Sequence, residues 1–213
     1  MKDNLKLKND IQQLTERYIV VSESFIYEYF SEKDKEQIAV LLYDLISNGR
    51  ISKSKCNISA NSKSKKSVCY IAKSSGINRN FISSINGNTF ESINKSLKVI
   101  ASLKRYYPDI IHTPAYFPTT IRASVLQNTE EKHIEIIYCT LDNLSRVFFH
   151  IENENLDTIR YVIIDGNFNK DKIEAILKRI ANIKSLIRVG RTAKDVEYYS
   201  PDEYISEFEL HTG

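Results

Sequence analysis

The sequence predicts an α+β fold in two parts, and three features of the chain predict it. Apolar residues recur at helical spacing up to about residue 48, and alternation of apolar and polar residues begins at Ile51. After residue 89 helical and strand patterns interleave, as in a small α/β domain with a mixed sheet. We therefore expect a first domain over 1–75, a linker over 76–88 and a second domain over 89–213.

Two helices are predicted before residue 31. The first ends near Tyr18, and its apolar residues are Leu5, Ile11, Leu14 and Tyr18. A short link, Ile19–Val21, leads to a second helix, for which Ser22 is a suitable N-cap. The apolar residues of this short helix are Phe25, Ile26, Tyr29 and Phe30.

A third helix is predicted between residues 31 and 48. Ser31 or Asp34 is its expected N-cap, and Asn48-Gly49 is its expected end. Its apolar residues follow the spacing i, i+3, i+4, i+7 and i+8, namely Ile38, Leu41, Leu42, Leu45 and Ile46. This is the candidate recognition helix.

A basic hairpin is predicted directly after the third helix. Ile51 opens one strand, 57–66 is a polar loop tip, and Val68, Tyr70 and Ala72 alternate on the return strand. From Leu45 to Asn80 the chain has eight basic residues and no Asp or Glu, which is typical of a surface that binds phosphate.

Three helices followed by a basic hairpin are the plan of a winged helix-turn-helix DNA-binding domain. The acids Asp34, Glu36 and Asp44 would repel phosphates, so phosphate anchoring is better supported than base reading. The alternatives are a solvated charged surface or a protein-interaction module. The candidate DNA-binding residues are Lys33, Lys35, Gln37, Tyr43, Arg50, Lys53, Lys55, Lys63, Lys65 and Lys66.

The second domain has a different charge balance and mixed periodicity. Residues 1–75 contain 13 basic and 9 acidic side chains, whereas 130–213 contain 11 and 16. An acidic domain with apolar strands suits a dimerisation or protein-contact module. The expected elements are a helix from Thr89 to about Arg105, an extended loop with Pro108, Pro114 and Pro118, strands Thr120–Gln127 and His133–Thr140 around a turn at 128–131, a helix from Leu144 to Ile151, a strand Ile159–Asp165 buried on both faces, a helix Ile173–Ile180, and strands Leu186–Val189 and Val196–Tyr199.

A winged helix with a long wing, joined to a small α/β domain, resembles the replication-relaxation proteins of Gram-positive plasmids and integrative and conjugative elements. The resemblance includes the strand-helix-strand segment from Tyr161–Asp165 to Arg188–Gly190. The resemblance covers most of the chain. It implies a role in plasmid replication, conjugation or their control, and a second domain similar to a degenerate restriction-endonuclease core. It supplies no catalytic residue in this sequence.

A nuclease of that type needs an Asp and, on the adjacent strand, an Asp or Glu followed two residues later by Lys. Asp109 could begin such a set, but Glu135-Ile136-Ile137 has an apolar residue in place of Lys. Asp165-Gly166-Asn167 and Glu152-Asn153-Glu154 also have no Lys, and Asp165 suits the cap of a following helix. We therefore expect no catalytic residue, metal or cofactor.

Composition sets the remaining expectations. The chain has no apolar run long enough for a membrane span and no apolar N-terminal segment of a signal peptide, so a cytoplasmic protein is expected. Three cysteines fit reduced thiols better than a disulfide framework, although Cys56 and Cys69 could face each other across the hairpin.

The sequence thus predicts a site-specific double-stranded DNA-binding protein, acting as a homodimer in mobile-element replication or transfer or in transcription regulation. Its second domain would dimerise or bind a protein partner, and no membrane is involved. The alternatives are a metal-dependent nuclease and an antitoxin-like autorepressor or other protein-interaction module.

Overall fold

A computed structural model describes residues 2–57, 66–75, 87–153, 157–165, 171, 183–190 and 193–204. The chain has α+β architecture and divides into two compact units, Met1–Ala101 and Ser102–Gly213. Among the described helices, none has the length and apolar character needed to cross a membrane.

The first unit begins with three helices and one short strand: α1 (Lys2–Tyr18), β1 (Val20–Ser22), α2 (Glu23–Tyr29) and α3 (Lys35–Ser47). The expected end of α1 at Tyr18 is confirmed. Its buried apolar residues are Leu7, Ile11, Leu14 and Tyr18, so Leu7 takes the core position and Leu5, which the apolar spacing included, is exposed. The link Ile19–Val21 is also more than a link, because Val20–Ser22 form β1.

The helix ends are fixed by local hydrogen bonds. Ser22 Oγ accepts from the backbone N–H of Phe25, and Asp34 Oδ1 accepts from that of Glu36, which confirms Ser22 and Asp34 as N-caps. At the C-terminus of α3, Gly49 has φ +68° and its N–H donates to Ile46. Glycine reaches this left-handed conformation without steric cost, and the expected end at Asn48-Gly49 is confirmed.

The hairpin consists of β2 (Ile51–Asn57) and β3 (Lys66–Ala72), and a 3₁₀ turn over Lys73–Ser75 follows it. β3 also pairs with β1, so the three antiparallel strands lie in the order β1-β3-β2. Most of the expected loop tip, residues 58–65, lies outside the described residues.

Two of the three cysteines are bonded to each other. Cys56 on β2 and Cys69 on β3 form a disulfide with a Cα–Cα distance of 6.4 Å, and Cys139 is a free, buried thiol. The expectation of three reduced thiols was therefore wrong. The reason is pairing: the hairpin register sets Ser54 opposite Cys69 and Ser67 opposite Cys56, which brings the two thiols together diagonally.

One face of this sheet is covered by α4 (Gly87–Leu103), whose start lies two residues before the expected Thr89. Phe90 packs against Val20, Ile71 and the disulfide, and Ser22 Oγ donates to Asn94 Oδ1 at 2.7 Å. The division between the units falls after Ala101, so most of α4 belongs to the first unit, whereas the sequence assigned this helix to the second domain.

The second unit has, among the described residues, a six-stranded mixed sheet in the order β4-β5-β6-β7-β8-β9. The pairs β6–β7 and β7–β8 are parallel and the other pairs are antiparallel, which confirms a mixed sheet. The strands are β4 (Ile111–Pro114), β5 (Thr119–Gln127), β6 (Glu130–Cys139), β7 (Ile159–Ile164), β8 (Ile183–Val189) and β9 (Val196–Tyr199).

Two details of this sheet differ from expectation. The segment expected to be an extended loop contains the edge strand β4, where Pro114 is tolerated because an edge needs no further N–H donor on its outer side. The turn after β5 has only two residues, Asn128 and Thr129, both with positive φ, and Gln127 pairs directly with Glu130.

The core of the second unit lies between the parallel strands and α5 (Leu144–Asn153). Val147 and Ile151 of α5 are fully buried and pack with residues of β6, β7 and β8. The four central residues of β7 are buried, as expected for a strand covered on both faces. The expected helix Ile173–Ile180 lies outside the described residues.

Candidate nucleic-acid interface

The solvent face of α3 is the central surface of the candidate interface. Ile38, Leu41, Leu42 and Leu45 are buried, and this orients the opposite side of the helix outward. The outward side has Glu36, Ala39, Val40, Tyr43 and Ser47 at helical spacing. Val40 is 67% exposed and Tyr43 is 73% exposed. The middle of the face is therefore uncharged and presents apolar groups to solvent.

Three of the predicted cations lie near the two ends of α3. Lys33 and Lys35 are exposed at its N-terminal end, and Arg50 is exposed just beyond its C-terminal end. A helix of 13 residues is about 20 Å long, so the basic groups bracket the uncharged face over that span. Such spacing suits contacts with phosphates on both sides of a groove.

The acids of α3 are mostly engaged within the protein. Asp34 caps the helix, and Asp44 forms an ion pair with Lys8 of α1. The hydrogen bond from Lys8 lowers the pKa of Asp44, with a further contribution from the Asn48 side chain. Asp34 and Glu36 are both exposed. The ion pair with Lys8 thus reduces the repulsion expected from Asp44, whereas Asp34 and Glu36 keep exposed carboxylates.

Two amide side chains of α3 are also engaged. Gln37 Nε2 donates to Asn4 Oδ1 of α1, and Asn48 Nδ2 donates to the backbone and carboxylate oxygens of Asp44 at 2.9 and 2.8 Å. Gln37 was predicted to face DNA, but its amide group is directed toward α1.

The basic strand β2 contributes two lysines with different surroundings. Lys53 Nζ donates to Glu23 Oε1 at 3.0 Å, and the Tyr70 hydroxyl donates to the same oxygen at 2.6 Å. Burial raises the pKa of Glu23, but the hydrogen bonds from Tyr70 and Lys53 outweigh it, and the pKa lies below its ordinary value of 4.5. The charge of Lys53 is therefore partly compensated by Glu23. Lys55 lies two residues further along the same face of β2 and is exposed.

The remaining predicted lysines lie at the hairpin tip. Lys63 and Lys65 lie outside the described residues, and Lys66 is placed only as the first residue of β3, opposite Asn57. The structure thus positions Lys33, Lys35 and Arg50 around α3 and Lys53 and Lys55 on β2.

The apolar part of the candidate interface was not predicted from the sequence. Ala39 and Val40 were not among the predicted site residues, because basic and polar side chains were sought. The signal was present: the positions between the buried residues of α3 contain an aliphatic side chain where a solvated helix normally has a charged one.

Two carboxylates that were considered for a nuclease set, Asp109 and Glu135, have different surroundings in the second unit. Asp109 is exposed, whereas Glu135 is 5% exposed and lies between basic side chains. Glu135 stands directly opposite Arg122 on β5 and Arg160 on β7. Arg122 Nε lies 3.4 Å from Glu135 Oε1, whereas Arg160 Nε and His150 Nε2 lie 3.1 and 3.3 Å from Oε2. Among the described residues, no group of three or more His, Cys, Asp or Glu is arranged to hold a metal ion.

Asp165 ends β7 and accepts a hydrogen bond from the Tyr138 hydroxyl, while its N–H donates to Cys139 at 2.9 Å. The helix that it was expected to cap lies outside the described residues.

An open cleft of about 370 Å³ lies beside the Glu135 cluster, between α5 and the segment before β5. Phe117 and Phe149 line it and are themselves 54% and 70% exposed, and Arg146 lies over the Phe117 ring at 5.9 Å. Exposed aromatic rings beside a guanidinium are a common feature of protein contact surfaces.

No protein-family model matches the sequence, and no curated protein is significantly similar to it.

Proposed function

We propose that the protein binds a specific double-stranded DNA site and that its first unit is a winged helix-turn-helix. The observation that carries the proposal is the element order α1-β1-α2-α3-β2-β3, with β1 joined to the hairpin in the order β1-β3-β2 and with α3 presenting an outward face between basic ends. In this plan α3 is the recognition helix and β2–β3 is the wing.

The dimensions of α3 suit the major groove. An α-helix with its side chains is about 10–12 Å in diameter, close to the groove width of about 12 Å. With α3 in the groove, Lys33, Lys35 and Arg50 contact phosphates at its ends. Lys55 and the lysines of the wing tip contact the neighbouring backbone.

One such unit makes few phosphate contacts, so its affinity for DNA is low. In a dimer, the second copy of the chain binds the same DNA molecule and raises the overall affinity. We propose that the second unit supplies this second copy as a dimerisation or protein-contact module, in which Phe117, Arg146 and Phe149 form contacts. The proposed fold of this unit is a degenerate restriction-endonuclease-like core. In keeping with the resemblance to replication-relaxation proteins, the protein is a cytoplasmic accessory factor of mobile-element replication or transfer, or a transcription regulator.

A competing function is protein interaction alone, as in an antitoxin-like factor, and the exposed aromatic cleft favours it. In that case the basic hairpin binds DNA weakly and without sequence preference. A metal-dependent nuclease is the other alternative, and it requires Glu135 to leave its three basic partners.

The test is a binding titration of the full-length protein against duplex fragments of its own locus and against random duplex. It is made at several salt concentrations, with and without magnesium. The proposal expects a specificity ratio of about a thousand or more and no cleavage. Weak binding that is blind to sequence and disappears with salt would contradict it, and cleavage with magnesium would establish the nuclease instead.

Variants locate the contact. Replacing Lys63, Lys65 and Lys66 together by Ala is expected to lower the salt slope of binding by about 2–3, roughly one per lost phosphate contact. Asp109→Ala is the matched control, because Asp109 is an exposed charge of the second unit, and its DNA affinity is expected to stay unchanged. An unchanged slope in the triple variant would remove the wing tip from the interface.

A further inference from the structure

We infer that α3 recognises its DNA site by apolar contact with thymine methyl groups. Val40 and Tyr43 make these contacts, and Ala39 lies beside Val40 on the same face. This inference rests on the proposed function and names the base chemistry that the recognition helix reads. The expected site has thymines at the major-groove positions beneath the middle of α3.

The first observation is the exposure of two apolar side chains that are neighbours on the surface of α3. Val40 and Tyr43 lie three residues apart, so their side chains are neighbours on the helix surface. Both are more than two-thirds exposed, although residues one position away, such as Leu41 and Leu42, are buried in the core. A β-branched residue is a poor helix former, so Val40 does not stabilise α3 in the free protein.

The second observation is that the two amide side chains of α3 and its C-cap, which are suited to hydrogen-bonded base reading, are bonded within the protein. Asn and Gln read adenine by bidentate hydrogen bonds, and Arg reads guanine. Within α3 and its C-cap, Gln37 donates to Asn4 and Asn48 donates to Asp44, and the helix has no Arg. Between Glu36 and Ser47, the outward face therefore offers a base edge the apolar groups of Ala39 and Val40 and the ring of Tyr43.

The third observation selects the occupant. Lys33 and Lys35 at one end of the face and Arg50 at the other match two phosphate backbones separated by a groove, rather than an apolar protein surface. In the major groove the thymine 5-methyl group is the apolar feature that a base edge presents. An apolar face framed by cations therefore fits thymine-containing duplex.

The experiment compares duplexes that differ only in these methyl groups. Binding duplexes are first selected from a random-sequence library with the full-length protein, and each thymine of a selected duplex is then replaced by deoxyuridine. Base pairing is kept and one methyl is lost. We expect a loss of affinity of about three- to fivefold for each contacted thymine, since burying one methyl-sized group contributes about 0.8 kcal/mol. Thymines outside the selected sequence serve as the DNA control, and their replacement is expected to change nothing.

Protein variants assign the effect to α3. Val40→Ala and Tyr43→Ala are expected to bring the thymine-to-deoxyuridine affinity ratio at a contacted position toward one. Arg50→Ala is the matched control: it removes a phosphate contact, so it is expected to weaken both duplexes equally and leave the ratio unchanged. Val40 and Tyr43 are exposed, so their replacement is not expected to disturb the core.

Three results would overturn the inference. Selected duplexes that bind equally with thymine and deoxyuridine would show that methyl groups are not read, while sequence-specific binding itself still stands. A thymine preference that survives in both variants would place the contact elsewhere. A change in sedimentation coefficient of the free Val40→Ala protein would show that a second copy of the chain covers this face. Failure to select any sequence would contradict the proposed function.

Discussion

Glu135 is expected to be a structural ion-pair residue, and its replacement by Gln should destabilise the second unit. Glu135 lies at the centre of β6, and its side chain is 7% exposed between two basic residues on the flanking strands. Arg160, on β7, is 1% exposed, whereas Arg122, on β5, is 62% exposed. The two arginines thus contact the same carboxylate, one from the protein interior and the other from the solvent-exposed surface.

This contrast sets the magnitudes. Removing one partner of a buried ion pair costs about 3–5 kcal/mol, and Gln retains one acceptor oxygen, so Glu135→Gln is expected near 3 kcal/mol. For a unit of this size that corresponds to a fall in Tm of about 12 °C. Arg122→Gln breaks a pair that solvent already screens, and its cost is expected to stay below about 1 kcal/mol.

Differential scanning calorimetry of the full chain measures both variants against the unchanged protein. A Glu135→Gln protein as stable as the original, or an Arg122→Gln protein that is destabilised equally, would refute the structural role. The same pair of variants also bears on the nuclease alternative. If Glu135 were instead a metal-binding carboxylate, Glu135→Gln would abolish magnesium-dependent cleavage without loss of stability, because residues kept for activity commonly contribute little to stability.

Three further predictions concern the first unit. Lys55→Ala is expected to lower the salt slope of DNA binding by about 0.9, measured by titration at several salt concentrations; no change in slope would exclude β2 from the phosphate contacts. Replacing both Cys56 and Cys69 by Ser is expected to lower the free energy of unfolding in urea by about 3 kcal/mol, because the disulfide closes a loop of 13 residues. If the unchanged protein is equally stable with and without reductant, the two cysteines are not bonded. Because the pKa of Glu23 is lowered on folding, its contribution to stability is present above pH 4.5 and lost as the pH falls below that value. Glu23→Gln is expected to remove this acid-range loss, and an unchanged pH profile would contradict the hydrogen bonds assigned to Glu23.

The helices of the first unit were predictable because each is specified locally. In α3 the apolar spacing, the Asp34 cap and the Gly49 end all lie within 16 residues, and each was found as expected. The strand β1 was not recognised because three residues, Val20–Ser22, are too short to show a period of two. Its pairing with β3 brings together residues about 50 positions apart.

The features that were missed depend on partners distant in the sequence. The bond between Cys56 and Cys69 follows from the hairpin register, which composition does not specify. Likewise, Glu135 was examined as a metal ligand because of its neighbours in sequence, and its role became apparent only from its neighbours across β5 and β7. The apolar face of α3 was hidden for a different reason, since Val40 is recognisable only once the buried side of the helix is known.

Binding of duplex DNA by α3 and the hairpin of the first unit can be measured by amide chemical-shift mapping of the full 24.6 kDa chain. A selected duplex is titrated into labelled protein. We predict changes at Ala39–Ser47 and at Lys53–Lys55, while the amides of Phe90–Asn94, on the helix that covers the opposite face of the sheet, stay unchanged. Changes confined to the second unit, or a spectrum that the duplex does not alter, would contradict this mode of binding.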